Sequence, residues 1–232
     1  MAKVSAPRSI ADQVYEFIKK DILEGKLEPN SRLTQEFMGE FYQTSRTPVR
    51  EAFRKLERDG LVERMPQGGV KVVAISVETI EEVYGVRAVL ETYAVELACE
   101  RISDSELERI AQIKKNAEAV LKSVDLSKED KLNELLSLNS SFHRKINEAS
   151  GNSYLVKILG EMNDSVMLGR TAGLRKNNEW SDIWKEHDKL INYLRKKDKV
   201  ESAKLMRKHI ESAAKNAIAV ISRRKKETDK GS

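Results

Sequence analysis

Three histidines, His143, His187 and His209, are the only imidazoles in this 232-residue chain. Each lies on an apolar stripe with helical spacing. His143 falls among Leu132, Leu136, Phe142 and Ile146, and His187 among Ile183, Trp184, Leu190 and Ile191. His209 falls among Met206, Ile210, Ala213 and Ala217. Asn139 stands four residues before His143, so both project from one helix face. Three imidazoles from three helices can meet in a bundle interior and bind a divalent cation. The competing reading is three separate core histidines, each satisfied by its own neighbour. Arg87 interrupts a further apolar stripe, Ile80, Val83, Leu90, Ala94 and Leu97. A guanidinium facing a core needs a partner. That partner is either Glu91, one turn on, or a carboxylate ligand. Arg170, at the end of a segment carrying Ile158, Met162 and Val166, is a second candidate of the same kind.

A different chemistry is concentrated in residues 45–56. On a helical wheel Val49, Ala52, Phe53 and Leu56 gather on one side. Thr47, Arg50, Glu51 and Arg54 gather on the other, with Arg46 at the N-terminal edge. A helix that enters the major groove by its N-terminal end wants this division. An arginine fork can bond both O6 and N7 of guanine. Hydroxyls such as Ser45 and Thr47, with the free amides of a first turn, suit phosphate oxygens. An ordinary amphipathic helix with a charged solvent face shows the same periodicity.

Both sets need elements to hold them. Ser9 can cap a helix running to about Leu23, ended by Gly25 and Pro29-Asn30. Thr34 can cap a short helix through Phe41. A third helix starts near Arg46, carries Pro48 in its first turn and stops at Gly60. Two β-type runs follow, Leu61–Met65 and Val70–Val73, joined by a turn at Pro66-Gln67-Gly68-Gly69. Three helices and a hairpin are the layout of a winged helix-turn-helix. Beyond Ser76 only helical rhythm remains, over about 77–101, 104–123, 130–149, 153–170, 180–196 and 199–222. Thr171–Asn178 reads as a loop. The fold expected is mainly α, a winged helix at 1–75 and an all-α bundle of six to seven helices at 76–226, with 227–232 as a disordered tail.

Bulk properties are compatible with this. Net charge is +5 and the isoelectric point near 9.1, which suits nucleic acid without demanding it. The single cysteine, Cys99, excludes an internal disulfide framework and fits a reducing cytoplasm. No apolar run approaches the roughly 18 residues of a membrane span. The N-terminus lacks a secretory apolar stretch.

The stretches GKLEPNSRL, SRTPVREAFRKLERDGLVE and GGVKV resemble the GntR family of bacterial regulators over nearly all of residues 10–73. That resemblance implies that Arg46 and Arg50 read bases and contact the backbone, and that Ser45 and Thr47 hold phosphates. It implies that Gly68 and Gly69 let the wing tip approach the minor groove. Arg32 is a further candidate contact. The chain departs from the family at Tyr42-Gln43-Thr44, where a small glycine-containing turn is usual, and at Gly39, where alanine is common.

VRAVLETYAVELA, NSSFHRKINEASGN, EHDKLINYLRKKD and AKLMRKHI resemble the FCD ligand-binding domain of the FadR subfamily over residues 77–222. By that resemblance His143, His187 and His209 are metal ligands, with an acidic residue four before the first. Asn139 holds that position and offers only a neutral carbonyl oxygen. Zinc, nickel and manganese are all open. The resemblance further implies a small organic acid effector facing Arg87, and a homodimer on a pseudo-palindromic operator, double-stranded DNA bound in the cytoplasm. The function expected is a sequence-specific regulator, a repressor relieved by its effector. The rivals are a metal-dependent enzyme acting on a small carboxylate and a non-specific DNA binder.

Overall fold

A computed structural model describes residues 8–174 and 180–229. The chain divides into two compact units after Ile75.

The first unit begins with α1 (Ile10–Leu23), where Ser9 and Asp12 form a reciprocal capping box. A two-residue strand β1 (Arg32–Leu33) follows, then α2 (Gln35–Phe41), capped by Thr34, and α3 (Arg46–Arg58). Strands β2 (Val62–Arg64) and β3 (Val70–Val72) complete it. Val14, Ile18 and Ile22 of α1 are buried, as are Val49, Ala52, Phe53 and Leu56 of α3, and the two helices pack together. The strands form an antiparallel sheet in the order β1-β3-β2. β1 is absent from the sequence reading, because two residues carry no detectable alternation.

The wing turn depends on Gly69. Its φ is +81°, and a Cβ there would lie 2.5 Å from the Leu33 carbonyl oxygen of β1. Gly68, at φ +84°, has nothing within 4 Å of the same position. The two glycines thus differ: one is required by backbone conformation alone, the other also by a close backbone approach.

The second unit holds α4 (Val77–Arg101), α5 (Asp104–Lys122), α6 (Lys128–Ala149), α7 (Ser153–Glu161), α8 (Asn163–Leu174), α9 (Trp180–Arg195) and α10 (Lys199–Asp229). α4 is its axis, packing against α10, α6, α8, α9 and α7. The segment expected as one helix over 153–170 is two, divided at Met162. Its apolar rhythm continues across the break, so periodicity joins what the backbone separates. Thr171–Leu174, expected in a loop, closes α8. Gly173, in the expected loop, is a close-packing position, as is Gly169 before it. A Cβ on Gly169 would lie 2.7 Å from Ile80 Cδ1, and one on Gly173 would lie 3.2 Å from Ala217 Cα. The remainder of that loop, 175–178, lies outside the described residues. α10 continues to Asp229, past the expected end at 222 and into the stretch expected as tail. Most residues there, Arg, Lys and Glu at 223–227, are good helix formers, and none up to Asp229 is glycine or proline. Among the described residues no helix is long and apolar enough to cross a membrane.

Gly69→Ala must shift β1 or the wing, beyond the cost of about 1 to 2 kcal/mol for a left-handed alanine. Gly68→Ala carries the conformational cost alone. Hydrogen exchange of the first unit's amides in the full chain should therefore show a larger loss of protection for Gly69→Ala. Equal losses would contradict the close approach.

Candidate functional site

On α3 the two faces separate fully. Val49, Ala52, Phe53 and Leu56 are buried, while Ser45, Arg46, Thr47, Arg50, Glu51 and Arg54 are exposed. Ser45 begins the helix without a side-chain cap bond, so its hydroxyl and the first-turn amides have no internal bond tying them together. Arg46 pairs with Glu36 of α2. Arg32 does not project freely: its Nη2 donates to the carbonyls of Gln67 and Gly68 at 3.1 and 3.2 Å, tying β1 to the wing turn.

The unusual turn before α3 is accounted for. Gln43 has φ +51°, the conformation a glycine would adopt freely. The Thr44 amide donates to the Gly39 carbonyl at 2.8 Å, and a Cβ on Gly39 would lie 3.0 Å from the Thr44 oxygen. Gly39 leaves room for the turn to close against α2. Tyr42 anchors it to α1, donating to Asp21 at 2.8 Å and stacking on Phe17 at 5.9 Å.

In the second unit the three histidines converge. His143 comes from α6, His187 from α9 and His209 from α10, and all are buried. One ring nitrogen from each lies within 4.8 Å of the other two. His187 Nε2 and His209 Nε2 are 3.3 Å apart. Two nitrogens sharing one cation, with bonds of about 2.0–2.1 Å, sit at about that separation. His143 Nδ1 lies 2.5 Å from Glu91 Oε2, and His209 Nδ1 lies 2.8 Å from Glu186 Oε2. A carboxylate can only accept, so both Nδ1 atoms donate and both Nε2 atoms keep their lone pairs. Carboxylates behind imidazoles in this way orient metal ligands and raise their basicity. His143 Nε2, His187 Nδ1 and Asn139 Oδ1 are buried without a hydrogen-bond partner. Three separately satisfied core histidines would not leave such atoms. The donor set fits a divalent cation.

The arginines meet the same space. Arg87 Nε donates to Glu91 Oε1 at 2.5 Å, so the local ion pair weighed from the sequence is present. Arg87 Nη2 nevertheless has no partner. Arg170, from α8, donates through Nη1 to Ser140 Oγ at 2.8 Å, while its Nε is also buried and bare. Both line a cavity of about 210 Å³ with Tyr84, Asn139, His143 and His209. Glu91 thus joins Arg87 to His143, one oxygen to each.

Charge follows from these contacts. Burial pushes His143 down to about 3, against the raising effect of Glu91. Burial takes His187 well below its ordinary value, helped by the neighbouring His209. Burial raises the Glu91 carboxyl, but Arg87 and His143 outweigh it and hold it well below the usual carboxylate range. Burial, with Arg87 close by, lowers Arg170 to about 10, so it stays charged at neutral pH.

Residues 10–72 match the model of bacterial regulatory proteins of the gntR family, and residues 82–212 match the FCD domain. The chain belongs to the GntR family of bacterial regulatory proteins. YdhC, an HTH-type transcriptional regulator of Bacillus subtilis, is 30% identical over 202 residues, covering 87% of this chain and 88% of that protein. GlaR, an HTH-type transcriptional repressor of Escherichia coli, is 27% identical and covers 84% of this chain and 90% of its own. Among solved structures, E. coli McbR/YncC superposes with a TM-score of 0.73 at 21% identity, over 94% of this chain and 99% of that one. A GntR regulator from Rhodococcus gives the same score at 18% identity, over 91% and 99%. This GntR-family chain is therefore a DNA-binding transcriptional regulator with an FCD effector-binding domain, and not an enzyme.

Three features escape sequence reasoning. Glu186 adjoins His187 in the sequence yet bonds His209 of another helix. Tyr84 looks like a core aromatic, but it lines the cavity and lies under the Arg87 guanidinium at 5.2 Å. Ser140 gives no signal beyond its neighbour Asn139.

Buried neutral imidazoles make acid destabilising. An unfolded histidine titrates near 6.5, so their contribution is complete above that value and is lost as the pH falls below it, toward about 3 for His143. Glu91 adds a loss below its ordinary 4.5. In chelator-treated protein the second unit should lose up to about 1.4 kcal/mol per pH unit for each of His143 and His187 between about pH 6.5 and 5. His143→Gln should flatten that slope in denaturant titrations. An unfolding midpoint independent of pH across this window would contradict the neutral, buried state.

Proposed function

We propose that this regulator is a cytoplasmic homodimeric repressor of a pseudo-palindromic operator, released when a small organic acid enters a cation-bearing cavity in its helical unit. The reading of DNA falls to the exposed face of α3. Arg46 and Arg50 take base edges, and Ser45 and Thr47 take phosphates, with the first-turn amides alongside. Arg46 exchanges Glu36 for the nucleic acid as it binds. Gly68 brings the wing backbone toward the minor groove, while Gly69 and Arg32 keep the turn in shape. Repression is favoured because GlaR, similar along nearly the whole chain, is a repressor.

The sensing half is supported by one observation: four buried polar atoms without partners belong to side chains that line a single cavity. They are Asn139 Oδ1, His143 Nε2, Arg87 Nη2 and Arg170 Nε. Acceptors on one side suit a cation, and donors on the other suit a carboxylate. Asn139, His143, His187 and His209 would hold zinc, nickel or manganese. Such an ion supplies a fixed positive anchor for a carboxylate oxygen. Arg87 and Arg170 orient the rest of the acid, and Glu91 keeps both Arg87 and His143 in place. An acid that weakens operator binding must itself bind the DNA-bound protein more weakly.

Arg46→Ala and Arg50→Ala should each cost about 1 to 3 kcal/mol of discrimination between the operator and scrambled DNA at fixed salt. Equal affinity of the unaltered chain for both duplexes would overturn sequence-specific binding. Replacing His143 and His187 together by alanine should remove bound metal in elemental analysis. Near-stoichiometric zinc or nickel surviving in that variant would reject the site.

A further inference from the structure

The exposed face of α3 carries Arg46, Arg50 and Arg54. Of these, Arg46 alone has a carboxylate partner among the described residues: its Nη2 donates to Glu36 Oε1 of α2. The other carboxylate oxygen, Oε2, makes no bond among the described residues. The turn between the helices holds the two side chains in register. The Thr44 amide, just before α3, donates to the Gly39 carbonyl of α2 at 2.8 Å.

Stability does not account for the pair. The side chains of Arg46 and Glu36 are 67% and 65% exposed, and ion pairs in water contribute little. Arg46 is the first residue of α3, where the positive end of the helix dipole disfavours a cation. Glu36 lies in the first turn of α2, which suits an acid but does not aim it at the next helix.

Beside DNA the carboxylate has a definite effect. Arg46 must leave Glu36 to touch the duplex, and a released carboxylate is repelled by phosphates. On generic DNA that loss offsets the phosphate contact Arg46 would gain. One arrangement compensates it. In the major groove a carboxylate accepts from the N4 amino group of cytosine, while an arginine fork bonds O6 and N7 of guanine. Glu36 stands at the tip of the Arg46 guanidinium, so that cytosine must lie beside the guanine Arg46 takes.

We propose that Glu36 is a specificity-determining residue of the operator contact. On generic DNA its carboxylate keeps Arg46 from phosphates. On the operator it accepts from a cytosine next to the guanine read by Arg46. The acid thus acts against wrong sequences as well as for the right one. This rests on the assignment of Arg46 as a base contact given above.

The test presents one random-sequence duplex library to the full chain and to Glu36→Gln, Glu36→Ala and Arg46→Ala, and reads the bound sequences base by base. The unaltered chain should select a guanine with a cytosine beside it in each half-site. Glu36→Gln should keep the guanine and change the cytosine to adenine, because an amide bonds adenine N6 and N7. Glu36→Ala should keep the guanine and lose the preference beside it. Arg46→Ala should lose the guanine. On a single scrambled duplex, Glu36→Gln should bind about threefold or more tighter than the unaltered chain, with a salt dependence steeper by about one phosphate contact. Circular dichroism checks that each variant folds. Unchanged base preferences in both Glu36 variants, with the guanine lost in Arg46→Ala, overturn the cytosine contact and leave Arg46 standing. Equal affinity and equal salt dependence on the scrambled duplex overturn the screening of Arg46. No change at any position in Arg46→Ala overturns the Arg46 contact and the proposal with it.

Discussion

The buried Glu91 carboxylate is the contact on which the interior of the helical unit depends. One oxygen accepts from Arg87, one turn away on α4, and the other from His143 on α6. Without it a buried guanidinium would stand unpaired, a defect that costs about 3 to 5 kcal/mol. His143 would also lose the group that fixes its proton on Nδ1 and turns its Nε2 lone pair inward. One side chain thus permits a charge in a core and orients a ligand atom. Glu186 repeats the second of these tasks for His209, from a half-buried position at the edge of the same cluster.

The cavity is polar because its wall is incompletely satisfied. Folding normally pairs buried donors and acceptors. Here several exceptions belong to side chains lining one cavity and fall into two kinds, lone pairs from Asn139 and His143, and N–H groups from Arg87 and Arg170. Tight packing elsewhere keeps them there. Gly169 lets α8 approach Ile80 and Tyr84, and Gly173 lets it approach Ala217. Arg170, between those glycines, is carried into the interior by that approach. In the first unit glycines act in the same way. Gly39 admits the turn before α3, and Gly69 admits the wing beside β1.

Much of the fold was legible in the residues. Capping at Ser9, Thr34 and Ser103, the 3.6-residue stripes and the glycine turn mark most elements within a few positions. The errors share a cause. Gly173 suggested a loop because sequence cannot tell a glycine that breaks a helix from one that packs it. The division at Met162 was hidden by an apolar stripe that continues through it. The strand β1 was missed because two residues acquire strand geometry only by pairing with Val70 and Lys71.

For the site, the sequence by itself determined which chemistries were available. Three imidazoles and Arg87 on apolar stripes meant polar groups facing a core, and SRTPVREA placed hydroxyls and guanidinium groups on one face of a short helix. Those are local facts, set by residue type and helical period. Only the tertiary structure decided which polar groups meet. It brought His143, His187 and His209 together from three helices, gave Glu91 two partners, and set Glu186 behind a histidine 23 residues away. It also turned Arg32 onto the wing carbonyls. Helical periodicity states which way a side chain points relative to its own axis. What stands opposite depends on how the helices pack, and that is settled by contacts among residues distant in the chain.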